Sequence, residues 1–407
     1  MSDANPRIPS VGKDPRDRSD IADPPNKTFF RELDEAVIEA DRCIQCGTCV
    51  AACPSDSIGI DDIEDRPTLV KMCTGCSRCW DFCPRSGLRY ERVPTLDSPD
   101  GSAKTPAVFE ARAANERFRA VGQDSGAVTA LLASLLEQDR IDGALVASES
   151  QTEPLKGEAT LATSTAELVA SAGSKYNQTM QLGRLAELID QLDGEEPRIA
   201  LVGTPCVIQG AAALEQFEWG DEVSPIVLTI ALMCTRSFEW SRLTATLEEH
   251  GVDPAAIDRL DVRDGTLFAM DADGNPHLDL PVETFDGAAL YGCAECADFL
   301  GEAADISAGN VGSGDGRTTV LVRTDRGRDA WAAASTALEG QPLEEAPALD
   351  RLAEWNRQRA IQALPRAFDA EGSLSITYEE HRQAYDPTER APQPLNPARV
   401  YQYEEWC

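Results

Sequence analysis

The run Cys43-Ile-Gln-Cys46-Gly-Thr-Cys49-Val-Ala-Ala-Cys53-Pro54 recurs as Cys73-Thr-Gly-Cys76-Ser-Arg-Cys79-Trp-Asp-Phe-Cys83-Pro84. Each copy reads C-x2-C-x2-C-x3-C-P, the ligand spacing of bacterial ferredoxins that carry two [4Fe–4S] clusters. Three closely spaced thiolates wrap one cubane within a tight loop. The fourth cysteine, set before proline at the start of a short helix, serves the other cluster. The spacing therefore gives one cluster to Cys43, Cys46, Cys49 and Cys83 and the other to Cys73, Cys76, Cys79 and Cys53. Zinc sites and a disulfide framework compete for such residues, but zinc ligands come as two separated pairs, not as four cysteines in one short run.

Thirteen cysteines follow an N-terminus, residues 1–25, that is polar and lacks the apolar core of a secretion signal. That combination predicts a reducing cytoplasm and metal ligation. No long apolar run is present, so no membrane span is expected, and any membrane association would be peripheral, through a complex. The chain carries 70 acidic against 37 basic residues, a net charge of −33, and only six of the basic residues are lysine. This balance excludes a nucleic-acid surface and binding to anionic lipid. The carboxylates are spread along the chain, as in halophilic proteins, where concentrated salt screens self-repulsion. An ordinary acidic protein is the alternative.

Residues 1–30 read as a flexible arm, 31–93 as an α+β ferredoxin-like domain with a helix over 27–39, and 94–105 as a Pro/Ser/Asp/Gly-rich linker. From residue 106 strands and helices alternate, which predicts a larger α/β domain to residue 340. Helices are expected at 127–138, 166–172, 179–192, 206–214, 238–249, 330–338 and 349–364. Strands are expected at 141–147, 198–202, 225–232, 305–309 and 318–323, with a hairpin over 260–272 turning at Asp273-Gly274. Residues 341–407 form a helical extension and a tail of no evident role.

Four cysteines remain in the large domain. Cys206 follows a strand and a Gly-Thr-Pro turn, Cys234 ends a strand, and Cys293 and Cys296 form a C-x2-C. Strand ends of an α/β domain converge on one edge, so these thiols could meet there as a zinc site or a third cubane. Cys206 and Cys234 could equally be ordinary buried cysteines.

The stretches Gly122-Gln123-Asp124-Ser125-Gly126 with its continuation to residue 132, Ser174-Lys175-Tyr176, 202–210 around Cys206, 232–234, 293–299 and 304–313 occur in one order. In these the chain resembles the coenzyme F420 hydrogenase/dehydrogenase beta-subunit family, over about residues 106–340. The resemblance implies FAD, a [4Fe–4S] cluster on Cys206, Cys234, Cys293 and Cys296, and exchange of hydride with coenzyme F420. It also implies a redox partner protein or further subunits of a dehydrogenase. Family members usually carry Gly-Gly where this chain has Ser125-Gly126.

The chemistry suits that implication. A deazaflavin exchanges two electrons as hydride, a cubane accepts one, and a flavin converts between them. The 122–126 loop, with Thr129 in the helix that follows, can bring backbone N–H groups to a flavin or phosphate, or can be a plain helix start capped by Asp124 or Ser125. Lys175 can meet a phosphate or stay solvated. Thr204, Gln209 and Asn310 are candidates for cofactor edges, or are structural. No G-x-G-x-x-G follows a strand, so a Rossmann dinucleotide site is not expected. Two other functions compete with F420-linked oxidoreduction: reduction of a carbon–carbon double bond, as in vinyl reductases, and electron transfer without a substrate site. If the acidity is an adaptation to salt, the melting temperature should climb as KCl rises from tenths molar to several molar. A flat thermal-melting profile across that range overturns the halophilic reading.

Overall fold

The computed structural model describes residues 29–76, 78–85, 106–192, 196–216 and 223–363. The expected arm up to residue 28, the end of the ferredoxin unit, the linker and the tail beyond residue 363 lie outside the described residues.

The ferredoxin unit begins with the helix Phe30–Leu33, which passes into a π-helical turn over Asp34–Ile38. Its strands β1 (Ile58–Asp61) and β2 (Arg66–Leu69) pair antiparallel between the short helices Thr48–Ala51 and Arg78–Asp81. Phe30, Leu33, Val37, Ile58 and Trp80 pack around Cys49, Cys53, Cys79 and Cys83.

The large domain is built on one mixed sheet. Its strands are β3 (Ala107–Ala113), β4 (Gly143–Glu149), β5 (Gly157–Ala162), β6 (Ile199–Gly203), β7 (Ile226–Leu232), β11 (Ile306–Gly309), β12 (Thr318–Val322) and β13 (Leu338–Pro342). Their order is β13-β3-β12-β11-β7-β6-β4-β5. The four central strands β11, β7, β6 and β4 run parallel, and antiparallel neighbours close both sides. Side chains alternate between two cores, as strand geometry requires. Leu145, Ile199, Leu201 and Ala231 face the helices Gln181–Ile189 and Pro205–Gln216. Ala144, Val146, Ala200, Val202 and Ile230 face the helices Ala127–Glu137 and Asp325–Ala333. A separate antiparallel meander, β8 (Arg259–Arg263), β9 (Thr266–Met270) and β10 (Pro276–Pro281), packs with the helix Trp240–Glu249 on a third core around Phe238 and Phe285.

Three expectations change. The tight hairpin turn is Asp264-Gly265, both with positive φ, whereas Asp273-Gly274 lies in the next connection, from β9 to β10. The helix expected at 330–338 ends at Ala333, and residues from Leu338 form an edge strand that runs to Pro342, across the expected boundary at 340. The strands β3 and β5 were not expected. β5 is rich in small residues and β13 is mostly exposed, so neither shows the apolar pattern of a strand.

The ferredoxin unit is seated on the helix Gln181–Ile189 side of the sheet and shares its core, since Ile44, Cys46, Ala52 and Phe82 pack with Leu182, Leu185 and Val207. The backbones touch. Gly47 has φ +81°, and a Cβ there would lie 2.6 Å from Gly183 N. A Cβ on Gly292 would lie 2.1 Å from Arg42 O. Beside that contact Arg42 and Glu295, both buried, form a bidentate pair with bonds of 2.9 and 2.8 Å. Lys156–Asp65, Arg184–Asp62 and Arg242–Asp41 add ion pairs between the two units. Breaking a buried pair by removing one partner costs about 3–5 kcal/mol, while replacing both by apolar residues is often neutral. Arg42→Met or Glu295→Leu should therefore destabilise the anaerobically purified chain by about that much, and the double variant by less than either. Additive losses in denaturant unfolding would show that the two side chains do not act as a pair.

Candidate functional site

The C-terminal ends of the parallel strands bring the chemistry together. β6 leads through Thr204 into the helix that carries Cys206, β7 leads to Cys234, and β11 ends beside Asn310. This is the edge where open α/β sheets place their sites.

In the ferredoxin unit Cys43, Cys46, Cys49 and Cys83 line one cavity, walled by Leu33, Val37, Ile44 and Arg85. This is the set the spacing assigned to one cluster. Burial pushes the Cys43 thiol up to about 12 and Cys49 well above its ordinary value. A bare thiolate is thus disfavoured, and a positively charged metal centre would supply the missing compensation. Backbone N–H groups already point at sulfur: Gln45 to Cys43 at 3.4 Å, Arg85 to Cys83 at 3.4 Å, Ser57 to Cys53 at 3.3 Å, and both Phe30 and Gly75 to Cys73 at 3.4 Å. Such donors favour ligated sulfur over a neutral thiol. Among the described residues no three His, Cys, Asp or Glu side chains gather at the spacing of a single metal ion. A cubane spreads its four ligands over four irons, so its ring of thiolates is wider.

The four scattered cysteines also come together. Cys206 feels Cys46, Cys296 and Cys293, and Cys234 feels Cys293 and Cys296. Burial raises Cys206 and Cys293 and pushes Cys234 up to about 12. Two links set this group. Cys234 N donates to Phe299 O at 3.2 Å, and Leu290 N donates to Ser237 O at 2.9 Å, which folds the Tyr291–Glu295 turn over the end of β7. Cys206 shares a core with Cys46, which lines the Cys43 cavity, so this group neighbours that cavity. Arg85, also buried, donates to Gly292 O at 2.9 Å, and its charge acts on both Cys43 and Cys293.

The residues expected at a flavin divide into two places. The 122–126 loop, the 174–176 turn, β8 and Asn310 are joined. Ser174 N donates to Gln123 Oε1 at 3.2 Å, Gln123 Nε2 donates to Asp261, Val262 N donates to the Tyr176 hydroxyl at 2.9 Å, and Asn310 Nδ2 donates to Val262 O at 3.2 Å. Lys175 makes no hydrogen bond among the described residues, its nearest carboxylate, Glu149, is 3.9 Å away, and burial lowers its pKa. A half-buried ammonium with open donors fits an anionic ligand such as a phosphate. Thr129 lies half-buried in the first turn of the helix Ala127–Glu137. Ser125 is turned inward, its hydroxyl 2.6 Å from Thr318 Oγ1. Gly126 has φ +66°, and a Cβ there would lie 2.1 Å from Phe118 O, so packing within the fold already demands this glycine.

Thr204 and Gln209 stand with the thiols instead. Thr204 Oγ1 is 3.1 Å from Cys206 Sγ, and buried Gln209 donates to Asp298 at 2.9 Å. Gln178, which no motif singles out, donates to Thr204 and Ser237 and lies 3.7 Å from Cys206 Sγ. Asp261, Arg85 and Glu295 were also missed. The last two sit within two residues of cysteines, a signal available in the sequence; Asp261 offers none.

This arrangement defines an iron–sulfur protein in which a dicluster ferredoxin unit is fused to a mixed α/β domain. Residues 35–94 match the 4Fe-4S dicluster domain, 108–186 the N-terminal and 197–346 the C-terminal domain of the coenzyme F420 hydrogenase/dehydrogenase beta subunit. The coenzyme F420 hydrogenase subunit beta of Methanothermobacter thermautotrophicus is 30% identical over 63% of this chain and 92% of its own length. The chain belongs to the coenzyme F420 hydrogenase/dehydrogenase beta-subunit family. The coenzyme F420-dependent sulfite reductase of Methanocaldococcus jannaschii is 31% identical over 78% of this chain, which spans about half (49%) of that relative. A chain of the F420-reducing [NiFe] hydrogenase complex from Methanosarcina barkeri superposes with a TM-score of 0.58 at 26% identity, over 66% of this chain and 92% of its own. No helix among the described residues is long and apolar enough to cross a membrane.

Burial, with the charge of Asp261 next, pushes Asp124 up to about 6. The folded protein therefore binds a proton that the unfolded chain has released between about pH 4 and 6, and stability falls as pH rises across that window. Asp124→Asn should melt above the parent at pH 8, with the gap narrowing as pH falls towards 4. A gap independent of pH in thermal melts would show that Asp124 carries no such cost.

Proposed function

We propose that the chain is an F420-linked iron–sulfur flavoprotein that exchanges hydride with the deazaflavin beside the Gly122–Gly126 loop and passes single electrons to a partner protein. FAD, when bound, would supply the conversion between hydride and single electrons, and three [4Fe–4S] clusters would carry them. The loop, Ser174, Lys175, Tyr176 and Asn310 would hold the flavin, with Lys175 offering its open donors to a phosphate. Cys206, Cys234, Cys293 and Cys296 would hold the third cluster. Thr204 and Gln178 would direct donors at Cys206 and keep its sulfur in place.

The observation that carries this reading is the reach of one short segment. Ser174 and Tyr176 are bonded to the loop and to β8, and Gln178, two residues on, is bonded into the Cys206 group. Cys206 in turn shares a core with Cys46 of the ferredoxin unit. The two sites and the ferredoxin unit thus form one series. Relatives named as hydrogenase and dehydrogenase subunits support a partner chain as electron acceptor.

The purified, flavin-loaded chain should oxidise reduced F420 with an artificial one-electron acceptor. Cys293→Ser should lower iron from about twelve to about eight atoms per chain, because serine is a poor ligand for this site and the ferredoxin ligands are a separate set. The variant should still bleach reduced F420 in rapid mixing, while reduction of the ferredoxin clusters slows at least tenfold. Unchanged iron, or undiminished cluster reduction, would rule out the third cluster as an intermediate. Absence of any F420 oxidation by the parent would remove F420 as the substrate.

A further inference from the structure

The helix Pro347–Ala363 begins just beyond the family match, which ends at residue 346. It closes over the Cys293–Cys296 turn. Asn356, fully buried, donates from Nδ2 to Cys296 O at 3.1 Å. Arg359 donates from Nη2 to Cys293 O at 3.0 Å, to Thr235 O at 2.5 Å and to Asn356 Oδ1 at 2.7 Å. The guanidinium lies over the Trp355 ring, 5.0 Å from its centre. Its charge acts on Cys296 and Cys293, from one turn, and on Cys234, beyond the end of β7. Its Nε–H is buried and has no acceptor among the described residues.

Buried donors are almost always satisfied, so an orphaned one on a cation clipped to the Cys293 carbonyl marks the place of an absent acceptor with negative charge. A cubane with four thiolate ligands has that character, and it becomes more negative by one unit on reduction. Arginine stays protonated in any environment met here, so its charge is constant through the change. A fixed positive charge in a water-poor site favours the more negative state of its neighbour.

We infer that Arg359 is a positioning residue for the centre held by Cys206, Cys234, Cys293 and Cys296. Its Nη2 fixes the Cys293–Cys296 turn, and its charge raises the reduction potential of that centre. This rests on the third-cluster reading above. The step concerned is the entry of one electron from a donor, with no bond formed or broken and no proton moved.

The test uses the full chain, prepared anaerobically, in three forms: the parent, Arg359→Gln and Arg359→Lys. Iron is counted, and the third centre is titrated against a redox mediator series by electron paramagnetic resonance. Its signal is identified as the one missing from Cys293→Ser. Arg359→Gln should keep about twelve irons. Its third centre should be about tenfold harder to reduce, a midpoint lower by about 59 mV for a one-electron couple. The ferredoxin midpoints should stay in place, and Arg359→Lys should lie closer to the parent. A purely structural role would not move the potential of a retained centre. An unmoved midpoint in Arg359→Gln at full iron overturns the inference alone. About eight irons in the parent overturns the third-cluster reading and this inference together. If Arg359→Gln loses the centre, Arg359→Lys decides: the centre retained at the parent midpoint supports the assignment of the charge, and its loss there too makes Arg359 a structural clip only.

Discussion

Everything in this molecule depends on the contact between the residue before Cys43 and the turn between Cys293 and Cys296. Arg42 and Glu295 are removed from water as a bidentate pair, and beside them the carbonyl of Arg42 meets Gly292 with no room for a side chain. Two charges so deeply buried repay their desolvation only when geometry and further bonding are good. The pair is therefore better understood as a device that fixes position than as a source of net stability. It ties the first ferredoxin loop to the second cysteine group at the level of backbone. Cys46 and Cys206 then fall in one shared core.

The charge pattern has the same logic. The surface is strongly acidic, yet three cations are almost fully enclosed among the described residues: Arg42, Arg85 and Lys156. Each joins the ferredoxin unit to the large domain, through Glu295, Gly292 O and Asp65. Two of the three stand beside thiols. Arginine suits such places, because its planar fork can bond a backbone carbonyl and still present charge to a neighbouring anion.

Much of this is legible in the sequence where chemistry imposes spacing. The first ferredoxin run is one such place: the structure gathers Cys43, Cys46 and Cys49 with Cys83 of the second run around one cavity, as the spacing expects, because a cubane permits few loop lengths. The central strands read as apolar runs, since a parallel sheet is buried on both faces. The edge strands β5 and β13 do not, because β5 is rich in small residues and most of β13 faces water. The second cysteine group is a different case. Its members are scattered over ninety positions of chain, from Cys206 to Cys296, and only topology brings them together. Arg359 is further still, on a helix whose sequence shows an ordinary pattern. Thr204 and Gln209 both follow β6, and their partners are Cys206 Sγ and Asp298, away from the 122–126 loop, a grouping that the sequence order alone does not show.

The short path from Ser174 to Gln178 carries a consequence for how this architecture can vary. The backbone advances by a fixed step per residue, so Tyr176 and Gln178, two residues apart, hold their separate partners at a set distance. Each environment alone would accept drift in its surroundings. Together they leave this stretch no freedom in length. A descendant that gained or lost one residue between Lys175 and Gln178 could keep every ligand and every loop residue intact. It would still present them out of step, with the two halves of the machinery each correct and no longer addressed to one another.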